Sequence, residues 1–209
     1  MPREDKTKAP TVLLLRHGET DYSKKRFYAD EIENPPLNAL GIKQAERWEG
    51  RLQNDRRTLA GIYVSPSRRT QETAQLATRG LPLTIETIAD LGERNFGSWG
   101  GRTSSEIQAQ HPDEWKAWQE DVVNFSPPGG ESLLGFSIRV KEAVRQIVAR
   151  HPEGYTLAVT HAGPIRMLVT AALGMPIVNF KRLIISNCSI TEIEFTEQWP
   201  NLHTLSYIA

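Results

Sequence analysis

The sequence has a single cysteine, no net charge and no long apolar run. Cys188 alone cannot build an intramolecular disulfide framework, and its thiol can stay reduced in a cytosol. The 25 Lys and Arg residues are balanced by 25 Asp and Glu residues, so the basic excess of a nucleic-acid-binding protein is missing. No apolar stretch reaches the roughly 18 residues of a membrane span, and the polar first residues do not resemble a secretory signal. We therefore expect a cytoplasmic protein with neither a nucleic-acid nor a membrane partner.

What is present fits one α/β domain. The 209 residues, 39% of them hydrophobic, are enough to bury a core. We expect residues 1–10 to form a flexible tail and residues 11–209 a single domain. The alternation of short apolar runs with helical patterns predicts a three-layer sandwich, a mostly parallel central sheet with helices on both faces.

The pattern also places the elements along the chain. The predicted strands are residues 11–15, 61–64, 81–88, 156–160, 188–195 and 202–208, the last two as an antiparallel pair at a sheet edge. The predicted helices are residues 38–53, 68–78, 132–150 and 164–173, with one or two more in 104–122. In the first of these helices, Leu40, Ala45, Trp48 and Leu52 recur at helical spacing.

Candidate functional residues follow three of the predicted strands. Ligands of open parallel sheets bind beyond the carboxyl ends of the strands. Arg16 and His17 follow the first strand, the segment Ser65 to Arg69 (SPSRR) follows the second, and His161 follows the fourth. A lone histidine is more often structural, but two histidines and at least two arginines converging on one crevice suit phosphoryl transfer. Arginine forks bind phosphate oxygens, and a neutral imidazole can attack phosphorus.

Such a site also needs a proton donor for the leaving oxygen. A carboxylic acid with a raised pKa would serve, and Glu93 in the glycine-rich, partly apolar segment 91–101 is the best candidate by its surroundings. Taken alone, Glu93 could equally be a surface salt-bridge residue.

Several segments together resemble the histidine phosphatase superfamily, also called the phosphoglycerate mutase-like family. Leu15 to Thr20 (LRHGET) is similar to its signature. Asn34 to Ala45 resembles D-x-P-L-T-x-x-G-x-x-Q-A, Ser65 to Ala74 resembles S-P-L-x-R-A-x-Q-T-A, and Leu91 to Gly101 resembles L-x-E-x-x-F-G-x-W-x-G. The segments 129–132 (GGES) and 160–163 (THAG) complete the series, so the resemblance runs from about residue 11 to the C-terminus.

This resemblance implies the fold and a set of roles. The nucleophile is His17, Glu93 is the acid and then the base, and His161 contacts phosphate beside them. Arg16 and Arg69 bind the phosphate, which leaves Arg68 as a surface residue, and no metal or cofactor is implied. The family often has a phosphate-binding Asn where this chain has Ser23, which we keep as a shorter candidate. Asn34 replaces the usual Asp and should change only a structural hydrogen bond.

Within the family, the sequence favours a phosphatase over a mutase. The mutases carry an Arg-Arg pair after a Trp, where this chain has Gln119 and Glu120 after Trp118, and Ser104 takes the place of a mutase lysine. A glutamate would repel the second anionic group that a mutase grips. Length and the PPGGES turn resemble the α-ribazole, phosphoserine and broad-specificity phosphatases. A phosphoglycerate mutase-type activity remains the alternative.

The expected partner is a small phosphomonoester. Candidates for its pocket are Tyr22, Phe27, Arg94 and Trp99, and Arg102 could add positive charge at the mouth. Some family members have lost catalysis and serve as binding modules, a reading that the presence of His17 and its companions makes much less favourable. The protein is expected to be a monomer or a homodimer, since the C-terminal strands offer an edge for pairing.

Overall fold

A computed structural model describes residues 9–21, 27, 33–55 and 57–209. Their strands form one mixed sheet, and their helices pack against it. The strands are β1 (Thr11–Arg16), β2 (Leu59–Val64), β3 (Ile85–Thr87), β4 (Tyr155–Thr160), β5 (Ser189–Phe195) and β6 (Pro200–Ile208). The α-helices are α1 (Ala39–Gln53), α2 (Arg68–Ala77), α3 (Ser104–Gln110), α4 (Pro112–Glu120), α5 (Leu133–Arg150) and α6 (Ala162–Ala172). Short 3-10 turns cover Ala89–Leu91, Gly97–Trp99 and Ile177–Arg182.

The strand order brings the predicted functional segments together. The sheet runs β3-β2-β4-β1-β5-β6. Strands β3, β2, β4 and β1 are parallel, β5 is antiparallel to β1, and β6 is antiparallel to β5. Strand β2 does not pair with β1, because β4, which comes later in the chain, lies between them. Arg16 at the end of β1 therefore pairs with Thr160 at the end of β4. The mostly parallel sheet and the antiparallel C-terminal pair are thus confirmed. Within that pair, β6 lies at an edge of the sheet, whereas β5 lies between β1 and β6.

Both faces of the sheet are covered, which explains why β1 is apolar at successive positions. Val12 and Leu14 pack into a cluster with residues of α5 and α6, whereas Leu13 and Leu15 pack into a second cluster with residues of α1 and α2. All four side chains are buried. The predicted three-layer sandwich is therefore confirmed.

One strand prediction was too long, because the third strand covers only Ile85–Thr87. The prediction of one or two helices in residues 104–122 is confirmed by α3 and α4. Pro112 lacks the N–H that would continue α3 and instead opens α4. In α1, Leu40 is 47% exposed, so it does not share the buried face of Ala45 and Trp48. Gly41 begins that face, and a Cβ there would lie 2.1 Å from the Glu19 carbonyl oxygen.

The structure describes the chain just before β1 and the surroundings of the lone cysteine. The Phe195 N–H donates to the Pro10 carbonyl over 2.8 Å, which ties the chain to the sheet from Pro10 onward. Residues 1–8 of the predicted tail lie outside the described residues. Cys188 is a core residue, and burial raises the pKa of its thiol to about 12. No helix in the described part of the chain is both long and apolar enough to cross a membrane.

Candidate active site

His17 lies at the carboxyl end of β1 with its backbone held on both sides. Its N–H donates to the Thr160 carbonyl over 3.0 Å, and its carbonyl accepts from the Cys188 N–H over 3.2 Å. In the side chain, Nδ1 lies 2.7 Å from the Gly18 carbonyl oxygen. A carbonyl only accepts, so Nδ1 carries the proton and Nε2 keeps its lone pair. This is the protonation state that a nucleophilic imidazole needs.

Two glycines fix the loop that follows His17. A Cβ on Gly18 would lie 2.6 Å from the Gly41 carbonyl oxygen, so the start of α1 packs directly on the loop backbone. The Gly18 N–H also donates to Thr73 Oγ1 over 3.0 Å, and Thr73 Oγ1 donates to the Arg69 carbonyl over 2.7 Å. Thr73 therefore links the loop after His17 to helix α2.

Arg69 and His161 form a buried pair beside His17. Arg69 Nη2 lies 2.8 Å from His161 Nδ1, and an arginine can only donate, so Nδ1 accepts. The proton of a neutral His161 is then on Nε2, which donates to Ser65 Oγ over 2.7 Å. The rings of His17 and His161 lie 5.2 Å apart. Arg68 instead pairs with Glu72 on the surface, and the Arg68 N–H donates to Asn34 Oδ1, a structural contact.

Arg16 is anchored at one end of its guanidinium. Its Nη1 donates to the Ile185 carbonyl over 2.6 Å. Its Nε is buried and has no hydrogen-bond partner among the described residues. A buried donor of this kind costs free energy unless a ligand satisfies it.

Glu93 is held by two backbone donors. Its Oε2 accepts from the Gly163 N–H over 3.1 Å, and its Oε1 accepts from the Arg94 N–H over 3.0 Å. Gly163 lies in the first turn of α6, two residues after His161, so the same turn positions the carboxylate and the second histidine. A Cβ on Gly163 would lie 1.9 Å from Glu93 Oε1, so only glycine leaves room for this carboxylate.

An ion pair supports the loop that carries Glu93. Arg139 on α5 donates to both carboxylate oxygens of Glu131, over 3.1 and 2.6 Å. The same guanidinium donates to the carbonyls of Asp90, Gly92 and Glu93. The Glu131 N–H in turn donates to the Asn95 carbonyl over 3.0 Å. The GGES turn, residues 129–132, therefore supports the loop that carries Glu93.

The predicted pocket residues have different fates. Tyr22 and Ser23 lie outside the described residues. Phe27 packs on Phe96, with ring centroids 4.8 Å apart, and on Trp99. Trp99 is only 1% exposed, because further aromatic side chains enclose it: Trp115, Trp118 and Phe125. Its indole N–H donates to Glu114, so the structure places Trp99 inside an aromatic cluster rather than on an open wall.

Arg94, also predicted for the pocket, is largely buried. Its Nε and Nη2 donate to the Glu131 carbonyl over 3.2 and 3.0 Å, and burial lowers the pKa of its guanidinium. Arg102 binds Gln110 and His111. The remaining histidines have partners elsewhere, His151 with Tyr63 and His203 with Glu194. Within residues 9–21, 27, 33–55 and 57–209, no group of three or more His, Cys, Asp or Glu side chains could hold a metal ion.

Sequence reasoning assigned no role to four residues that position this site. These residues are Ser65, Thr73, Arg139 and Gly163. Two of them carried a usable signal, since Ser65 is the first residue after β2 and Thr73 lies one helical turn after Arg69. Arg139 gave no signal, because its contacts join segments that are distant in the sequence.

Burial and neighbouring cations keep both histidines neutral. Burial lowers the pKa of His17 well below its usual value, and the charges of Arg69 and Arg16 lower it further. For the pKa of His161, burial is again the largest cause, followed by the charge of Arg69. Neutral His17 therefore persists in the folded protein at pH values where an exposed histidine would be protonated.

This shift makes stability fall as the pH falls. Below about pH 6.5 the unfolded chain protonates His17 while the folded protein does not. The unfolded state therefore binds more protons and is stabilised relative to the folded state. In urea unfolding between pH 6.5 and 5, the free energy of unfolding of the wild type should fall by about 1 kcal/mol per pH unit more than that of His17→Ala. Equal slopes for the two proteins would contradict a lowered pKa of His17.

Comparison with known proteins gives the same picture as the geometry. The bifunctional protein Rv2228c of Mycobacterium tuberculosis is 35% identical over 184 residues, covering 88% of this chain and 50% of that protein. This chain thus spans about half the length of that relative. Phosphoserine phosphatase 1 of Hydrogenobacter thermophilus is 28% identical over 187 residues, covering 90% and 87% of the two chains.

A solved structure extends the likeness to the fold. The α-ribazole phosphatase of Shigella flexneri superposes with a TM-score of 0.83 at 25% identity, covering 95% of this chain and 98% of that one. The sequence profile of the histidine phosphatase superfamily (branch 1) matches residues 12–207. That match spans the segments from which the resemblance was inferred, together with β1 to β6. The chain therefore belongs to branch 1 of the histidine phosphatase superfamily.

Proposed function

We propose that the protein hydrolyses a small phosphomonoester through a covalent phosphohistidine on His17, without a metal ion. The observation that carries this proposal is the hydrogen bond from His17 Nδ1 to the Gly18 carbonyl, which leaves the Nε2 lone pair available beside Arg69 and His161. Arg16 Nε adds a buried donor without a partner among the described residues. These groups suit a phosphoryl group whose oxygens carry negative charge.

In the first step, His17 Nε2 attacks phosphorus and the bond to the ester oxygen breaks. Glu93 donates its proton to that oxygen, so the product leaves as a neutral alcohol and Glu93 becomes a carboxylate. Arg16 and Arg69 balance the charge on the phosphoryl oxygens. The Gly18 carbonyl stabilises the positive charge that develops on the imidazole by accepting from Nδ1.

In the second step, water attacks the phosphohistidine. The Glu93 carboxylate takes one proton from the water, the bond between nitrogen and phosphorus breaks, and His17 recovers its lone pair. Inorganic phosphate leaves with the oxygen of that water, and Glu93 is again protonated. One carboxyl group thus acts as acid and then as base.

His161 has two possible contributions, and the hydrogen bonds distinguish them. With Nδ1 accepting from Arg69 and Nε2 donating to Ser65, a neutral His161 positions the arginine. Direct donation from Nδ1 to phosphate, which the family resemblance implies, requires a proton on Nδ1. The negative charge of a bound phosphate favours that proton, so ligand binding and protonation of His161 would be linked.

Hydrolysis is favoured over mutase chemistry by the residues Gln119 and Glu120, which stand after Trp118 where a mutase carries two arginines. Catalysis is favoured over a binding module by the grouping of His17, Arg69 and His161 at one end of the sheet. A cytoplasmic location is part of the proposal, since a lone Cys188 suits a reducing compartment.

The proposal is tested by phosphate release in EDTA from a panel of phosphomonoesters: phosphoserine, 3-phosphoglycerate, sugar phosphates and an aryl phosphate. Rapid quenching with radiolabelled substrate should trap a label that is labile in acid and stable in base, and peptide mapping should place it on His17. Label found only as acid-stable phosphoserine would overturn the mechanism. If no ester is cleaved, transfer between bisphosphoglycerate and phosphoglycerate becomes the next assay.

A further inference from the structure

Ser65 holds the ring nitrogen of His161 that does not face Arg69. Its Oγ lies 2.7 Å from His161 Nε2, whereas Arg69 Nη2 lies 2.8 Å from Nδ1. A second hydroxyl, Ser67 Oγ, lies 3.5 Å from the same Nε2, at the limit of hydrogen bonding. Ser65 and His161 are both fully buried. One buried ring is therefore held by a hydroxyl at one nitrogen and by a guanidinium at the other.

Backbone contacts fix the position of the Ser65 hydroxyl. The Ser65 N–H donates to the Val159 carbonyl of β4 over 3.0 Å. The Ser65 carbonyl accepts from Thr70 Oγ1 over 2.8 Å and from Gln71 Nε2 over 3.0 Å. His161 follows β4 directly and is the N-cap residue of α6. The hydroxyl and the ring therefore stand at the ends of two paired strands, β2 and β4, which keep them together.

The hydrogen bonds determine what the ring needs before it can bind phosphate. Arg69 only donates, so Nδ1 accepts and the proton of a neutral His161 lies on Nε2. To donate to a phosphoryl oxygen, Nδ1 must gain a proton. Nε2 already carries one, which Ser65 accepts, so this gain turns the ring into an imidazolium. The added proton comes from water and lies between Nδ1 and the phosphoryl oxygen.

Several charged groups act on this protonation of His161. The groups that oppose a positive charge on the ring are Arg69 of α2, Arg16 and His17 of β1, and Arg139 of α5. Glu93 accepts from the Gly163 N–H in the first turn of α6. The negative charge of a bound phosphoryl group favours the imidazolium. His161 should therefore gain its second proton only when the site is occupied.

A hydroxyl on Nε2 stabilises the imidazolium more than it stabilises the neutral ring. A hydrogen bond from a charged donor is roughly twice as strong as one from a neutral donor. The contact between Ser65 and His161 therefore strengthens when phosphate binds, although Ser65 keeps its place. A residue that only satisfied a buried N–H would contribute equally to the free and the occupied site.

We propose that Ser65 is a positioning residue, which acts through His161 by stabilising the imidazolium that donates to the phosphoryl group. This inference rests on the proposed phosphatase activity. It gives a role to a hydroxyl that neither step of the reaction consumes, and it links substrate binding to the uptake of a proton by His161.

The test follows His161 by ¹⁵N NMR while inorganic phosphate is titrated. Saturating phosphate should protonate Nδ1 in the wild type, and Nε2 should stay protonated. In Ser65→Ala, the affinity for phosphate and kcat/KM for an aryl phosphate should each fall by about tenfold. The bound His161 should also lose its second proton at a pH about one unit lower than in the wild type. Ser65→Thr keeps a hydroxyl and should restore most of each value.

A matched variant and the wild type itself keep this test decisive. Ser126→Ala removes an exposed hydroxyl before α5 and should match the wild type in every measurement. A Ser65→Ala that is folded by circular dichroism, with the phosphate affinity and His161 titration of the wild type, would refute the role of Ser65 even if its stability were lower. Phosphate that binds to the wild type without protonating Nδ1 would also overturn the proposal.

The outcomes separate this inference from the proposed function. If the wild type hydrolyses the aryl phosphate and Ser65→Ala does so equally well, the phosphatase stands and the role of Ser65 is refuted. If no ester, the aryl phosphate included, is hydrolysed, the proposed function falls and the inference falls with it.

Discussion

His17→Ala is expected to reduce phosphate release by about 10⁴-fold or more, because the variant has no atom that can accept the phosphoryl group. The remaining groups still bind phosphate, so substrate should still bind while kcat collapses. Steady-state release from an alkyl phosphate and quenched labelling measure the two parts of this effect. Both turnover and the acid-labile label should disappear together.

A matched variant shows whether the loss is specific to the site. His203→Ala removes an exposed histidine that contacts Glu194 at the sheet edge, and should keep wild-type kcat and KM. The hydrogen bond that the His17 side chain makes within the described residues goes to the neighbouring Gly18 carbonyl, so the variant should remain folded by circular dichroism. Turnover within tenfold of the wild type in a folded His17→Ala would refute His17 as the nucleophile.

Gly163→Ala is expected to lower the rate of phosphoenzyme formation from an alkyl phosphate by about 100-fold or more. The new methyl group would lie 1.9 Å from Glu93 Oε1, so the carboxyl group must leave its position. A misplaced acid cannot protonate the alkoxide, which is a poor leaving group. If the aryl phosphate is nitrophenyl phosphate, its nitrophenolate leaves without a proton. The variant should therefore lose much less of its rate on that ester. Single-turnover rates on the two esters measure the difference.

Two further variants separate the misplaced acid from a damaged helix. Glu93→Gln should reproduce the dependence on the leaving group, because it removes the proton while the backbone stays in place. Gly50→Ala adds the same methyl group in α1, where nothing lies within 4 Å, and should leave turnover unchanged. An equal loss on both esters in Gly163→Ala would contradict the role assigned to Glu93 and Gly163.

Much of the fold was predictable from local patterns. Apolar runs such as the one in β1 are visible because both faces of the sheet are covered, which leaves no polar alternation. Strand ends then located His17 and His161 without knowledge of the strand order. The error at Leu40 has a physical cause, since spacing alone does not reveal that Gly41 packs on the backbone of Glu19.

The grouping of His17, Arg69 and His161 was predictable, but the contacts that support them were not. Arginines and histidines indicate phosphate binding by their residue type. Arg139 instead supports the loop that carries Glu93 through backbone carbonyls, which every residue has, so the sequence does not indicate these contacts. Trp99 was predicted for the pocket wall, yet four other aromatic rings surround it.

The central place of β1 in the sheet has a consequence for local opening. Strands β4 and β5 pair with β1 on its two sides, and the N–H of His17 continues the ladder to Thr160. Breaking these hydrogen bonds requires separation of the sheet, so the amides of β1 belong to the part of the molecule that opens last. The turns of the Glu93 loop lie outside the sheet and can open alone. As temperature rises, the loop that carries Glu93 should therefore lose its structure before the strand that carries His17 does.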